Sequence, residues 1–154
     1  MNALKILVFS DSHRSRGGML DVIESQSPDL VIHLGDLQSD AEEIGYAYPK
    51  LPLISVPGNC DGWTMEPAIR LITIEGRRLL LSHGHLWQVK QGYARALLEG
   101  RKADADILLF GHTHVAYCEQ VDGMWVINPG AARKSYGTIL LEPGKTECFL
   151  SQMD

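Results

Sequence analysis

The chain has 154 residues, with 14 basic against 19 acidic side chains, a formal charge of −5 and 45% hydrophobic content. That length suits one domain, residues 1–154, able to hide roughly two-thirds of its unfolded surface without a disulfide or metal staple. The acidic balance argues against specific nucleic-acid binding, which calls for a basic face. A small phosphate ester stays open as a substrate, because a local metal site overrides net charge.

The N-terminus, MNALKILVFSDSH, has no small-residue cleavage site after a long apolar core, so Lys5–Ser10 reads as a first strand rather than a targeting signal. Further short apolar runs lie at Leu30–Gly35, Leu53–Gly58, Arg78–Gly84, Asp106–Gly111, Trp125–Gly130, Thr138–Glu142 and Glu147–Leu150. Continuous runs of this kind suit strands buried on both faces. Residues 68–75 alternate apolar and polar, and with 77–82 across Gly76 they predict an antiparallel hairpin. Helical spacing predicts helices over 17–26, over 39–47 with a Ser39/Glu42 capping box, and over 86–99 with Gly100 as the stop. The early order β-α-β-α-β predicts a sheet covered on both faces, and the strand-rich remainder predicts a mixed sheet or two packed sheets. No apolar run approaches the roughly 20 residues of a membrane helix. Cys60, Cys118 and Cys148 are odd in number and form no CxxC pair, which points to a reducing cytoplasm. Trp63, Trp87 and Trp125 read as core or interface residues.

The chemistry lies at the ends of these runs. They close in Asp11-Ser-His13, Gly35-Asp36, Gly58-Asn59-Cys60-Asp61, His83-Gly84-His85 and Gly111-His112-Thr113-His114. In open α/β sheets ligands bind at the carboxyl ends of the strands, so these residues can converge across a hundred positions. Turns favour Asp, Asn and Gly without any ligand. Histidine has no such preference, yet five of the six lie here, His33 being the sixth inside a strand. Imidazole with carboxylate and amide oxygen suits Mn, Zn, Fe or Ni rather than an all-oxygen Mg or Ca cage. Asp11, His13, Asp36, Asn59, His83, His112 and His114 make seven ligands, too many for one ion and natural for two that share a carboxylate.

The series DSH, GD, GNCD, HGH and GHTH resembles the calcineurin-like metallophosphoesterases, from Asp11 to Gly130. Length and the GNC variant are similar to the small bacterial and archaeal phosphodiesterases of that family, relatives of the retromer subunit. The resemblance implies an α/β fold, a four-layer α/β/β/α sandwich of two mixed sheets flanked by helices. It implies that Asp11, His13 and His114 hold one metal, that Asn59, His83 and His112 hold a second, and that Asp36 bridges them. The activity implied is hydrolysis of phosphate diesters by a metal-bridging hydroxide at a centre of two divalent ions, Mn²⁺ foremost, with Zn²⁺, Ni²⁺ or Fe²⁺ as alternatives.

Two divalent ions carry about +4 against the two anionic ligands Asp11 and Asp36, so a diester monoanion balances the hydroxide-loaded site more closely than a monoester dianion. Larger family members place a His where this chain has Cys60, and that His is thought to protonate the leaving group. A thiol matches that task less well near neutral pH. His85 is the candidate substitute, and Asp36 and Asn59 complete the expected catalytic set. Arg14, His85 and Arg133 are candidate substrate contacts, since a guanidinium binds phosphate in bidentate fashion. A phosphomonoesterase, or a non-catalytic scaffold of the same fold, is the alternative reading. The sequence leaves a homodimer open and names neither the physiological substrate nor the native metal.

Overall fold

Strand β1 (Leu4–Phe9) shows why the chain builds layers. Successive side chains of a strand point to opposite faces. Ile6 and Val8 enter a cluster with Ile32, Leu79, Leu81, Ile107, Leu109 and Ile139, while Leu7 and Phe9 join Met19, Ile23 and Ile44 on the other side. A strand apolar on both faces therefore separates two cores. The computed structural model describes residues 3–14, 16–62 and 64–153.

The first sheet has the order β10-β9-β1-β2-β3, built from β1, β2 (Leu30–His33), β3 (Leu53–Ser55), β9 (Ser135–Glu142) and β10 (Lys145–Gln152). The second has the order β4-β5-β6-β8-β7, with β4 (Ile69–Ile74), β5 (Arg77–Ser82), β6 (Ile107–Leu109), β7 (Tyr117–Val121) and β8 (Met124–Asn128). Within them β1-β2-β3 and β5-β6-β8 run parallel, and the outer pairs run antiparallel. Helices α1 (Arg16–Gln26) and α2 (Gln38–Ala47) cover the first sheet, and α3 (Ala94–Lys102) covers the second, where Ala96 packs with Leu80, Leu108 and Phe110. This is the four-layer α/β/β/α sandwich with two mixed sheets. Arg77 clamps the two sheets together at the end away from the histidines, donating to the Glu142 and Lys145 carbonyls.

Three expectations need correction. The helix over 86–99 is two short 3-10 turns, His85–Trp87 and Val89–Gln91, before α3 begins at Ala94. Gln88 at φ 54° and Gly92 at φ 131° break the helical path, while Trp87 and Val89 still bury. The Ser39/Glu42 capping box does not form. Helix α2 starts at Gln38 with no side-chain cap on Leu37, and the Gln38 N–H donates instead to Asp61 Oδ1 at 2.6 Å. The polar run Tyr117–Val121, unread in the sequence, is the edge strand β7 paired with β8. Trp87 is buried and Trp125 half-buried, whereas Trp63 lies outside the described residues.

Candidate metal centre

The turn after β1 places Asp11 where its two oxygens have different neighbours. Its backbone N–H donates to the Gly35 carbonyl at 2.8 Å, which binds this turn to the one after β2. Oδ2 accepts from Ser10 Oγ at 2.7 Å and from the His112 backbone N–H at 2.8 Å. Oδ1 is buried and has no hydrogen-bond donor among the described residues. It faces His114 Nε2 at 3.2 Å and His83 Nε2 at 3.6 Å. A buried carboxylate oxygen without a partner is costly, so a group of opposite charge belongs beside it.

Asp36, after β2, is arranged the same way. The Cys60 N–H donates to Oδ1 at 2.9 Å, while Oδ2 lies 3.3 Å from His83 Nε2 and 4.0 Å from His13 Nε2. Burial pushes this carboxyl up, but the His83 hydrogen bond and charge outweigh it and hold it well below the usual carboxylate range. His83 is fully buried at the end of β5, with Nδ1 2.7 Å from the Leu34 carbonyl. That carbonyl can only accept, so Nδ1 carries a proton, and Nε2 faces the carboxylates, a donor to Asp36 when the ring is protonated and a free lone pair when it is neutral. Burial lowers the His83 pKa, and hydrogen bonding to Asp36 with the Asp11 charge more than reverses this, for a net rise. His112 Nδ1 stands 3.2 Å from His83 Nε2, two nitrogens facing one another with room for a shared positive group. Burial, His83 and Lys90 hold His112 below the ordinary imidazole value.

The ligand atoms fall into two sets. Asp11, Asp36 and His83 form one, entirely buried; Asp11, His13 and His114 form the other, with both imidazoles exposed. Asp11 belongs to both, and Asp36 Oδ2 reaches towards His13 as well as His83. The donor set of carboxylate and imidazole fits divalent transition metals. The backbone is strained to achieve it: Asp11, His13, Asp36, His112 and His114 have φ of 52°, 41°, 50°, 71° and 63°. Side chains rarely adopt that region, and such strain collects at functional sites. Glycine permits the close approach at two points. A Cβ on Gly58 would collide with Asp36 Oδ1, and one on Gly111 with Ser10 Oγ.

The description of the calcineurin-like phosphoesterase superfamily domain matches residues 4–144. The chain belongs to that superfamily. It is 32% identical to the protein named "Probable metallophosphoesterase YsnB" of Bacillus subtilis strain 168 over 149 residues, covering 90% of this chain and 85% of that one. It is 27% identical to Phosphodiesterase YfcE of Escherichia coli K12 over 152 residues, covering 83% and 79%. Among solved structures, Vacuolar Protein Sorting 29 of Cryptosporidium parvum superposes over all of both chains with a TM-score of 0.77 at 18% identity, a likeness of fold.

Behind the superfamily's ligand turns lies support that single positions in the sequence do not announce. Asp61 accepts three backbone N–H groups, from Asp36 at 3.0 Å, Gln38 at 2.6 Å and Gly58 at 2.7 Å, and so fastens the turn after β2 to the turn after β3. Ser12 sits between Asp11 and His13. Its hydroxyl donates to Asp40 Oδ2 at 2.6 Å and accepts from His33 Nε2 at 3.0 Å. His33 Nδ1 accepts from the Gly35 N–H at 3.2 Å, which leaves the His33 proton on Nε2. Burial keeps this imidazole neutral, with its pKa lowered to about 4. Asp40 Oδ2 also accepts the Arg14 N–H at 2.6 Å. Ser12, His33 and Asp40 are all buried.

The remaining expected residues are less enclosed. Asn59 is exposed on the turn after β3, between Gly58 and Cys60. Cys60 is exposed, and hydrogen bonding to Asp36 with partial burial pushes its thiol pKa up. The His85 ring lies 5.6 Å from His83 and 6.2 Å from His112, centre to centre, with Nδ1 buried and unpartnered among the described residues. Burial and His83 lower its pKa. Arg14 and Arg133 are exposed, Arg14 beside His13 and Arg133 beyond the end of β8.

Proposed function

We propose that this protein is a phosphodiesterase that works with two divalent metal ions, Mn²⁺ foremost. The observation that carries the reading is the pair of ligand sets joined at Asp11, one buried and one open, around an unpartnered carboxylate oxygen. Asp11, His13 and His114 would hold one ion. Asp36, His83, His112 and Asn59 would hold the other, with Asp36 as well as Asp11 placed to be shared. When bound, two such ions supply Lewis-acid stabilisation of charge on phosphoryl oxygens and lower the pKa of water.

The chain's own residues do the rest. His83, fixed by the Leu34 carbonyl, keeps its Nε2 aimed into the site. His85 carries a neutral imidazole at the rim, and Arg14 and Arg133 are exposed cations available to a phosphate oxygen. Cys60 stands at the Asp36 end as a protonated thiol, a weak acid. Leaving groups of low pKa, such as aryl oxides, need little protonation and suit such a site best. Three unpaired thiols fit a reducing, cytoplasmic setting. No helix among the described residues is long and apolar enough to cross a membrane.

The test is hydrolysis of a chromogenic bis-aryl phosphodiester by chelator-stripped protein, with and without Mn²⁺, beside the corresponding aryl phosphomonoester. The expected result is diester turnover that appears only with metal and exceeds monoester turnover. Faster monoester turnover would select a phosphomonoesterase. No turnover with Mn²⁺, Zn²⁺, Ni²⁺ or Fe²⁺ would select the scaffold.

A further inference from the structure

The site residues form one contiguous cluster, which His13 closes by standing 4.0 Å from Asp36 and 5.4 Å, ring centre to ring centre, from His114. His114 is 3.2 Å from Asp11, Asp11 is 3.6 Å from His83, His83 is 3.3 Å from Asp36, and Asp36 accepts the Cys60 N–H at 2.9 Å. One groove borders this cluster at His114 and another borders it at Cys60, and the two grooves differ in charge. At the His114 end the groove is lined by His114, Arg133, Lys134, Ser135 and Gln152. Among its described lining residues there is no carboxylate, and neither Arg133 nor Lys134 forms an ion pair with any described residue. At the Cys60 end the groove is lined by Leu37, Cys60 and Met65 among a polar majority that includes Gln38, Glu42 and Glu66. No cation lines it among the described residues. Asp61, on its floor, is already committed to three backbone N–H groups, but Glu42 and Glu66 are exposed and make no ion pair with described residues. Met65 is 87% exposed, an apolar surface with nothing described against it.

A phosphodiester carries two ester groups that leave phosphorus in different directions. With phosphorus over the cluster, the groove at His114 can receive one of them and the groove at Cys60 the other. We infer that the site takes an asymmetric phosphodiester in one orientation: an ester group bearing a further negative charge lies in the Arg133/Lys134 groove, and a neutral or cationic ester group lies in the Leu37/Met65 groove. The substrate class is therefore a diester of one acidic alcohol and one uncharged or basic one. The inference rests on the phosphodiesterase reading above and adds direction and charge to it.

The test uses three p-nitrophenyl alkyl phosphodiesters that share the leaving group and differ only at the far end of the alkyl chain: carboxylate, hydroxyl or trimethylammonium. The uncharged aryl group is compatible with the Leu37/Met65 groove, so kcat/KM ranks carboxylate over hydroxyl over trimethylammonium. Exposed ion pairs are individually weak, so the span from first to last is roughly tenfold. The metal ions alone would favour the carboxylate through long-range attraction, and the double variant Arg133→Glu/Lys134→Glu separates the two causes. Both positions are exposed, and the variant is expected to reverse the ranking. Equal kcat/KM for all three probes, or a ranking unmoved by the double variant, overturns the inference while leaving the phosphodiesterase reading intact. Calorimetric binding of the non-hydrolysable phosphonate analogues provides a readout without turnover. Carboxylate-selective binding that the double variant reverses, with no turnover of any probe, would uphold the inference about the grooves and overturn the phosphodiesterase reading.

Discussion

The two ligand sets share Asp11 and differ in everything around it. Asp11, Asp36 and His83 are all buried, and each side chain is held by a backbone group: the His112 N–H, the Cys60 N–H and the Leu34 carbonyl. His13 and His114 have 42% and 41% of their side chains exposed, and they approach the same carboxylates from the solvent side. One position is thus enclosed and held by backbone groups, while the other is lined by solvent-exposed imidazoles. Preorganised donors cost less to order on binding, and burial strengthens their electrostatics. The buried position is therefore expected to bind an ion more tightly than the open one.

The largest effect comes from the residue common to both sets. Asp11→Ala removes a ligand from each position, and charge stabilisation worth several kcal/mol corresponds to a loss on the order of a thousandfold in kcat/KM. Steady-state assays at saturating Mn²⁺ check it. A variant within tenfold of wild type would break the claim that both positions depend on Asp11.

Next is the pH dependence of stability carried by His33. Its folded pKa of about 4 lies below the ordinary value of 6.5, so between those values the unfolded chain binds the proton and the folded chain does not. The stabilisation is complete above pH 6.5, falls as pH drops towards 4, and amounts to about 3 kcal/mol. Urea titrations of the metal-free protein and of His33→Gln, compared at pH 7 and pH 4.5, measure it. The variant is expected to lose less stability than wild type across that interval; equal losses would contradict the neutral buried imidazole.

Ser12→Ala probes the same contrast from behind. It leaves the His33 Nε2–H without its acceptor and removes a donor to Asp40 Oδ2, loosening the turn that carries Asp11 and His13. A supporting hydrogen bond of this kind is worth roughly tenfold to a hundredfold in metal affinity or activity. Mn²⁺ binding followed by electron paramagnetic resonance reads the change directly, and unchanged affinity would show that the turn needs no such support. The smallest effect is expected for Cys60→Ser. Because the thiol is a weak acid at the edge of the site, hydrolysis of an aryl diester should change by less than about threefold, whereas a diester with an alkyl leaving group would reveal any role in protonation.

Much of this was legible in the sequence because the fold puts its chemistry where strands stop. Asp11, Asp36, His83, His112 and His114 each come soon after an apolar run, and parallel strands bring such ends to one edge. The layers were legible from runs such as LKILVF, apolar on both faces. Long-range support was not. Asp61 caps Asp36 and Gln38 from more than twenty residues away, which is also why the Ser39/Glu42 box is idle. Ser12, His33 and Asp40 meet only after β2 and α2 are in place. Strand β7 was missed because YCEQV is an edge strand with little apolar content, and 86–99 was misread because Trp87 and Val89 bury from 3-10 turns rather than from a helix.

The proposed inequality of two metal positions is tested by titrating chelator-stripped protein with Mn²⁺ in a calorimeter, for wild type and His13→Ala. Wild type is expected to bind two ions per chain in two resolved steps, with His13→Ala keeping the tighter step and losing or weakening the other. A single ion in wild type, or loss of the tighter step in His13→Ala, would contradict that inequality.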